Sequence, residues 1–129
     1  MKFQPDSSDG VNVITRQEAG RIWVGTVPFS HSILVPWQGE VQAWGATQAA
    51  ELTVADFERL AQLKPEVVIF GSGARIHFVP PALQRVLFEQ RIGVETMDTA
   101  AACRTYNVLA SERRRVLAAL LLQPPTPAS

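Results

Sequence analysis

Residues 67–73 have the sequence VVIFGSG, in which four consecutive apolar side chains precede two glycines around a serine. A short, unbroken apolar run that ends in turn residues is typical of a strand covered on both faces of a parallel sheet. The segment therefore predicts a central strand at 67–70 in an α/β protein. It also predicts a tight strand exit at Gly71–Gly73.

Helical patterns flank this strand on both sides. Thr53 and Asp56 form a variant of the capping box at the start of one predicted helix. Pro80 or Pro81 suits the first turn of a second helix, since proline is favoured there. A further strand is predicted at 94–97. This alternation of strands and helices after residue 45 indicates a sheet with helices on both faces.

The first half of the chain contains short runs that are rich in β-branched and aromatic residues. Strands are predicted at 11–15, 21–27, 32–35 and 41–44. No helical pattern separates them, so we expect antiparallel neighbours. The whole pattern predicts a single α/β domain with three layers, a mixed central sheet and an antiparallel N-terminal part.

The end of the chain predicts a final helical region from about 100 to 122, broken near 107–111, with Ser111 as a second N-cap. Apolar side chains at Val116–Leu122 would wrap most of its last helix. Such a helix must be buried on several sides or cover a partner.

The predicted domain spans residues 11–122. Residues 1–10, with a proline and several small polar residues, predict a loose lead-in. Residues 123–129 are rich in proline and predict a disordered tail.

Length and composition limit the function classes. The chain has 129 residues, 12 basic and 12 acidic side chains, and a hydrophobic content of 47%. This composition is globular, and zero net charge argues against a nucleic-acid partner. One cysteine and two histidines exclude an intramolecular disulfide and a Cys-rich zinc site. We predict no metal and no cofactor. The longest apolar run, Val116–Leu122, has seven residues, so we predict no membrane span. The sequence begins without the apolar core of a signal peptide, so we predict a cytoplasmic setting.

Two predicted strand exits carry the candidate site residues. Ligands of open α/β sheets bind outside the carboxyl ends of strands, where glycine-rich backbone and helix N-termini expose N–H groups to anions. We predict that the exits Gly71–Arg75 and Asp98–Arg104 face one shared crevice, with Thr99 capping the following helix. The candidate ligand or partner residues are Gly71, Ser72, Gly73, Arg75, Thr99, Cys103, Arg104, Tyr106 and Asn107.

Each candidate also has a purely structural interpretation. The glycines suit a tight exit with positive φ. A helix N-terminus and the charge of Arg104 would both favour a thiolate at Cys103. However, no histidine lies nearby in sequence to act as its base. The favoured interpretation of Cys103 is therefore a small buried side chain among alanines. Tyr106 and Asn107 could tie their helix to the first-half strands. The run Arg113–Arg115 favours a solvated surface over an RNA site. We predict no catalytic residue.

The second half of the chain resembles one known family throughout. The resemblance rests on VIFGSG at 68–73, a proline pair at 80–81, IGVETMDT at 92–99, AACRTYNVL at 101–109 and ERRRV at 112–116. These segments resemble the small-protein family that includes mitochondrial complex I assembly factor 3.

The resemblance covers about residues 10–122. It implies a compact three-layer domain with a mixed, five-stranded central sheet. It also implies a noncatalytic interaction or assembly factor, because the mitochondrial relative helps to build NADH:ubiquinone oxidoreductase. The implied partner is a protein, such as a respiratory-complex assembly intermediate. The alternative hypothesis is a small-molecule or anion-binding protein, or an enzyme, that uses the crevice at Gly71–Gly73.

Overall fold

A computed structural model describes residues 10–123. Apart from Gly10 and Gln123, the predicted lead-in and tail therefore lie outside the described residues. The elements, in chain order, are β1 (Ile14–Glu18), β2 (Arg21–Val24), β3 (Val27–Phe29), β4 (Ile33–Pro36), β5 (Gln42–Ala43), a 3-10 helix (Ala49–Glu51), α1 (Val54–Gln62), β6 (Val67–Gly71), α2 (Pro81–Glu89), β7 (Gly93–Met97), α3 (Thr99–Ser111) and β8 (Val116–Leu120).

The main sheet has five strands in the order β5-β4-β8-β6-β7. Strand β6 pairs in parallel with β7 on one side and β8 on the other, while β4 pairs antiparallel with β8 and β5. The predicted mixed α/β sheet is confirmed. Because β6, β7 and β8 run in parallel, their carboxyl ends meet at the same end of the sheet.

A smaller antiparallel sheet has the order β1-β2-β3. The single strand predicted at 21–27 is wrong, because a turn at Gly25 divides it into β2 and β3. Gly25 has φ +60, which glycine adopts without steric penalty, and the chain reverses there so that Val24 faces Val27.

Two apolar cores lie on the two faces of the main sheet. Val68 and Phe70 of β6 join the core beneath α1 and α2, whereas Val67 and Ile69 join the core shared with α3 and the small sheet. Successive strand side chains point to opposite faces, so β6 needs apolar residues at every position. The predicted layers on both sheet faces are therefore confirmed.

The predicted C-terminal helix is wrong. Helix α3 ends at Ser111, and Val116–Leu120 forms β8, the middle strand of the sheet. All five residues of β8 are buried, so the neighbouring layers cover their side chains. Ser111 is no N-cap, since its hydroxyl donates to the Val108 carbonyl oxygen at 2.7 Å. Leucine and alanine favour helix intrinsically, but the tertiary position between β4 and β6 overrides that preference.

Two predicted helix starts are confirmed. The Asp56 carboxylate accepts a hydrogen bond from the Thr53 backbone N–H at 2.9 Å, which completes the capping box of α1. Pro81 is the first residue of α2. None of the helices within residues 10–123 has the length and apolar character needed to cross a bilayer.

Candidate functional site

The exits of β6 and β7 lie side by side. The Gly73 N–H donates to the Thr99 hydroxyl at 2.9 Å, and the Thr99 N–H donates to the Gly73 carbonyl at 2.8 Å. The Ser72 N–H also donates to the Met97 carbonyl at 2.9 Å. The two exits are thus bonded directly to each other, which follows from the parallel register of the strands.

Thr99 is a brace between strands and not the helix cap. The N-cap of α3 is Asp98, whose carboxylate accepts from the Ala101 N–H at 2.9 Å. The buried Thr99 hydroxyl accepts from Gly73 and donates to the Leu121 carbonyl at 2.8 Å. It therefore links the carboxyl ends of β6 and β8, and its only proton is used in that link.

The two glycines of the exit serve different purposes. A Cβ on Gly71 would lie 2.9 Å from the Thr99 Cα and 3.1 Å from the Ala102 Cβ, so Gly71 lets α3 approach the sheet closely. Gly73 has φ +115, a conformation that side chains rarely permit. The predicted positive φ holds at Gly73, whereas close packing accounts for Gly71.

Ser72 holds the loop that follows β6. Its buried hydroxyl accepts from the His77 N–H at 2.8 Å and faces the carbonyl oxygens of Arg75 and Met97 at 2.9 and 3.2 Å. These bonds hold the start of the loop against the end of β7. Residues 74–78 are all exposed, and Arg75 is among them.

A crevice of about 540 Å³ opens at this end of the sheet. Glu18 and Asp98 are among the residues that line it, and neither Arg75 nor Arg104 is. Glu18 pairs with Arg16, Asp98 caps α3, and no basic residue within the described part of the chain lines the crevice, so the crevice does not support the anion-binding alternative. Its full lining is Gln17, Glu18, Ala19, Gly20, Gly73, Ala74, Asp98, Thr99, Ala100, Leu121, Leu122 and Gln123.

Part of this crevice was missed by sequence reasoning. Residues 17–20, which are the end of β1 and the turn before β2, form one of its walls. That turn comes from the first half of the chain, and no local pattern indicates that the small sheet packs beside α3.

Tyr106 and Asn107 attach α3 to the first-half strands. The buried Tyr106 hydroxyl donates to the Asn12 carbonyl at 2.8 Å, and burial raises its pKa above the ordinary range. The Asn107 side-chain amide donates to the Ile14 carbonyl at 2.7 Å and accepts from the Ile14 N–H at 2.9 Å. Asn107 thereby satisfies both backbone groups of Ile14, as a neighbouring strand would.

Cys103 is buried, and its environment does not favour a thiolate. Burial raises the pKa of its thiol to about 12, and the opposing effect of the Arg104 charge is smaller. Arg104 itself is exposed and lines a separate depression with Cys103, Asn107 and residues 14–17. Arg104 therefore does not line the crevice that it was predicted to share, although the two depressions adjoin at Gln17 and Ala100.

The basic run Arg113–Arg115 lies in the turn between α3 and β8, and not in the helix that was predicted to start after Ser111. Arg114 pairs with Glu66 at 3.0 Å, and Arg115 donates to the Lys64 carbonyl at 3.1 Å. Arg113 has φ +64 and lies over the Trp37 ring. These contacts brace the turn against the start of β6.

An exposed apolar loop is the surface feature that sequence reasoning overlooked. Ile76 is 48% exposed and Phe78 is 75% exposed, while Val79 is buried and anchors the end of the loop. The available signal was an apolar pair placed between a glycine exit and a proline pair, where neither a strand nor a helix is predicted. Two large apolar side chains exposed within three residues of one loop are candidates for contact with a partner.

Relatives of known name match most of the chain. The assembly factor 3 of the NADH dehydrogenase (ubiquinone) 1 alpha subcomplex from Bos taurus is 32% identical over 125 residues, which are 95% of this chain and 66% of the relative. The chain spans about two thirds of the length of the first curated relatives that it matches.

Solved structures show the same fold. A crystal structure of a Bordetella parapertussis protein is 40% identical, has a TM-score of 0.85 and covers 90% of this chain and 99% of its own. A solution structure from Bordetella pertussis, described as a Mth938-like domain, is 33% identical with a TM-score of 0.80 and covers 98% and 95%. The family model described as "Protein of unknown function (DUF498/DUF598)" matches residues 14–121. The resemblance found in the sequence is thereby confirmed, and the chain belongs to the DUF498/DUF598 family.

Proposed function

We propose that this chain is a noncatalytic assembly factor that binds a protein partner while a respiratory complex of the NADH:ubiquinone oxidoreductase type is built. The relatives named as assembly factors support the general role. The observation that carries the proposal is the exposed apolar loop with Ile76 and Phe78. Large apolar side chains at 48% and 75% exposure can serve as anchor residues at the centre of a protein interface.

Hydrogen bonds and a buried side chain attach the loop to the rest of the protein at both of its ends. The Ser72 hydroxyl forms hydrogen bonds with the backbone of Arg75 and of His77. The buried side chain of Val79, directly after Phe78, anchors the other end of the loop. A fixed loop loses less conformational entropy when it binds, which favours association. Arg75 lies within the same loop and contributes a positive charge at its rim.

The candidate polar residues give little support to a small-molecule function. Ser72, Thr99, Tyr106 and Asn107 all use their side chains in bonds to the protein's own backbone. Their role in this proposal is to hold the loop and α3 in place. We also propose that the protein acts in the cytoplasm and that residues 11–122 fold as a single domain.

The experiment is gene deletion with complementation in the source organism. We expect deletion to lower the amount of assembled NADH:ubiquinone oxidoreductase on native gels, and the wild-type chain to restore it. The double variant Ile76→Ser/Phe78→Ser should fail to restore it, because the apolar contact is lost. Phe88→Ser is the matched control, since Phe88 is 49% exposed but lies on α2. Normal complex levels after deletion would refute the proposal.

A further inference from the structure

Strand β7 is an edge strand of the main sheet within residues 10–123, and its bonding pattern shows which of its backbone groups point away from β6. Gly93 donates to the Glu66 carbonyl, and the Met97 carbonyl accepts from Ser72, so both ends of β7 direct backbone groups toward β6. Backbone groups alternate in direction along a parallel strand. The N–H and C=O groups of Val94 and Thr96 therefore face away from the sheet.

The other sheet edges within residues 10–123 are short or blocked. Strand β5 has only two residues, and β3 contains Pro28, which has no N–H to offer. On β1, the Asn107 side chain occupies both backbone groups of Ile14. Strand β7 has five residues and no proline, and no side chain within residues 10–123 covers its outward backbone groups, so it is the edge best suited to accept another strand.

The charge on β7 argues against a second copy of this chain as that strand. A two-fold antiparallel pairing that uses all the outward groups would place Val94 opposite Thr96 of the second copy. Glu95 would then lie directly opposite Glu95 of the second copy, with about 4.5 Å between the two Cα atoms. Glu95 is exposed, and like charges directly opposite destabilise a strand pair.

We propose that β7 binds an extended segment of a partner protein by strand addition, with a lysine or arginine of that segment opposite Glu95. Backbone bonds to Val94 and Thr96 would supply the affinity, and the charge pair would supply the register. This inference goes beyond the apolar loop and depends on the proposed function only in taking the partner to be a protein. The two surfaces are neighbours, since Ser72 joins the loop to the end of β7.

The test is an NMR titration of the ¹⁵N-labelled chain with a capped seven-residue peptide of alternating valine and threonine and a central lysine. We expect the amide signals of Val94 and Thr96 to shift most. A peptide with a central glutamate should bind at least about threefold more weakly than the lysine peptide, because cross-strand charge pairs have effects of this size. Glu95→Lys should reverse that preference.

A proline variant separates backbone pairing from side-chain contact. Thr96→Pro removes an N–H that β6 does not use, so it should abolish peptide binding, while the matched Thr96→Val should bind normally. Absence of shifts at Val94 and Thr96, or equal binding of both peptides by the wild-type chain, would overturn the inference. Amide protection of β7 that rises with the concentration of the chain alone would also overturn it, in favour of self-association. None of these readouts depends on complex assembly in cells, so this inference and the proposed function fail separately.

Discussion

At the scale of single residues, the Thr99 hydroxyl joins two strand ends. Substituting Thr99→Val keeps the shape of the side chain and leaves the Gly73 N–H and the Leu121 carbonyl without their bonds. We expect the free energy of unfolding to fall by about 1–3 kcal/mol, since unsatisfied buried polar groups are costly. Urea unfolding measures this, with Thr105→Val on the same helix as the control. Equal effects of the two changes would contradict the bracing role.

Gly71 tests the close approach of α3 to the sheet. In Gly71→Ala, the new methyl group would meet the Thr99 backbone at 2.9 Å, and backbone yields poorly. We expect a loss of about 1–3 kcal/mol in unfolding free energy, as for overpacked cores. Gly45→Ala is the matched control, because nothing lies within 4 Å of its added Cβ. A stable Gly71→Ala protein would show that the helix can shift without penalty.

Cys103 makes stability depend on pH in a predictable direction. Its pKa is raised from 9.0 to about 12 by burial, so the unfolded chain releases the proton at lower pH than the folded chain does. Between these two pH values the folded state therefore binds more protons than the unfolded state. The contribution of Cys103 to the free energy of unfolding is fully present below about pH 9 and decreases as the pH rises toward about 12. We expect Cys103→Ala to flatten the fall in urea-unfolding free energy just above pH 9. An unchanged slope would mean that the thiol does not contribute.

At the scale of elements, β8 shows where local sequence reasoning fails. The seven apolar residues of Val116–Leu122 fit both a buried helix segment and a buried strand. Pairing with β4 and β6 selects the strand. Strand β4 lies at least 80 residues away in sequence and β6 at least 45, so a local pattern contains no information about either of them. By contrast, β6 and the capping box of α1 could be predicted, because their signals are local.

Hydrogen exchange tests the position of β8 directly. A strand paired on both sides and buried throughout should open only with global unfolding. We expect the amides of Val116–Leu120 to be among the slowest to exchange, and those of the two-residue β5 to exchange much faster. Rapid exchange across Val116–Leu120 would contradict the central placement of this strand.

At the scale of the whole molecule, sequence reasoning placed the two strand exits at one end of the sheet, since parallel strands require it. It did not foresee the charges of the crevice. Glu18 reaches the crevice on a hairpin of the small sheet, while Arg75 and Arg104 are not among the residues that line it. Long-range packing of one sheet beside another has no signature in a single sequence. The polar side chains of Ser72 and Thr99 at the exits form hydrogen bonds to the backbone of the protein. The bonds of Ser72 position the loop that contains Ile76 and Phe78.

Affinity purification of the tagged chain from its native organism, after cross-linking in cells, tests the central claim most directly. The account predicts that mass spectrometry recovers NADH:ubiquinone oxidoreductase subunits with the wild-type chain and with Phe88→Ser, and loses them with Ile76→Ser/Phe78→Ser. All three proteins should have similar thermal midpoints, because the altered side chains are exposed. Recovery of no such subunits above an untagged control, or equal recovery by the double variant, would contradict the account.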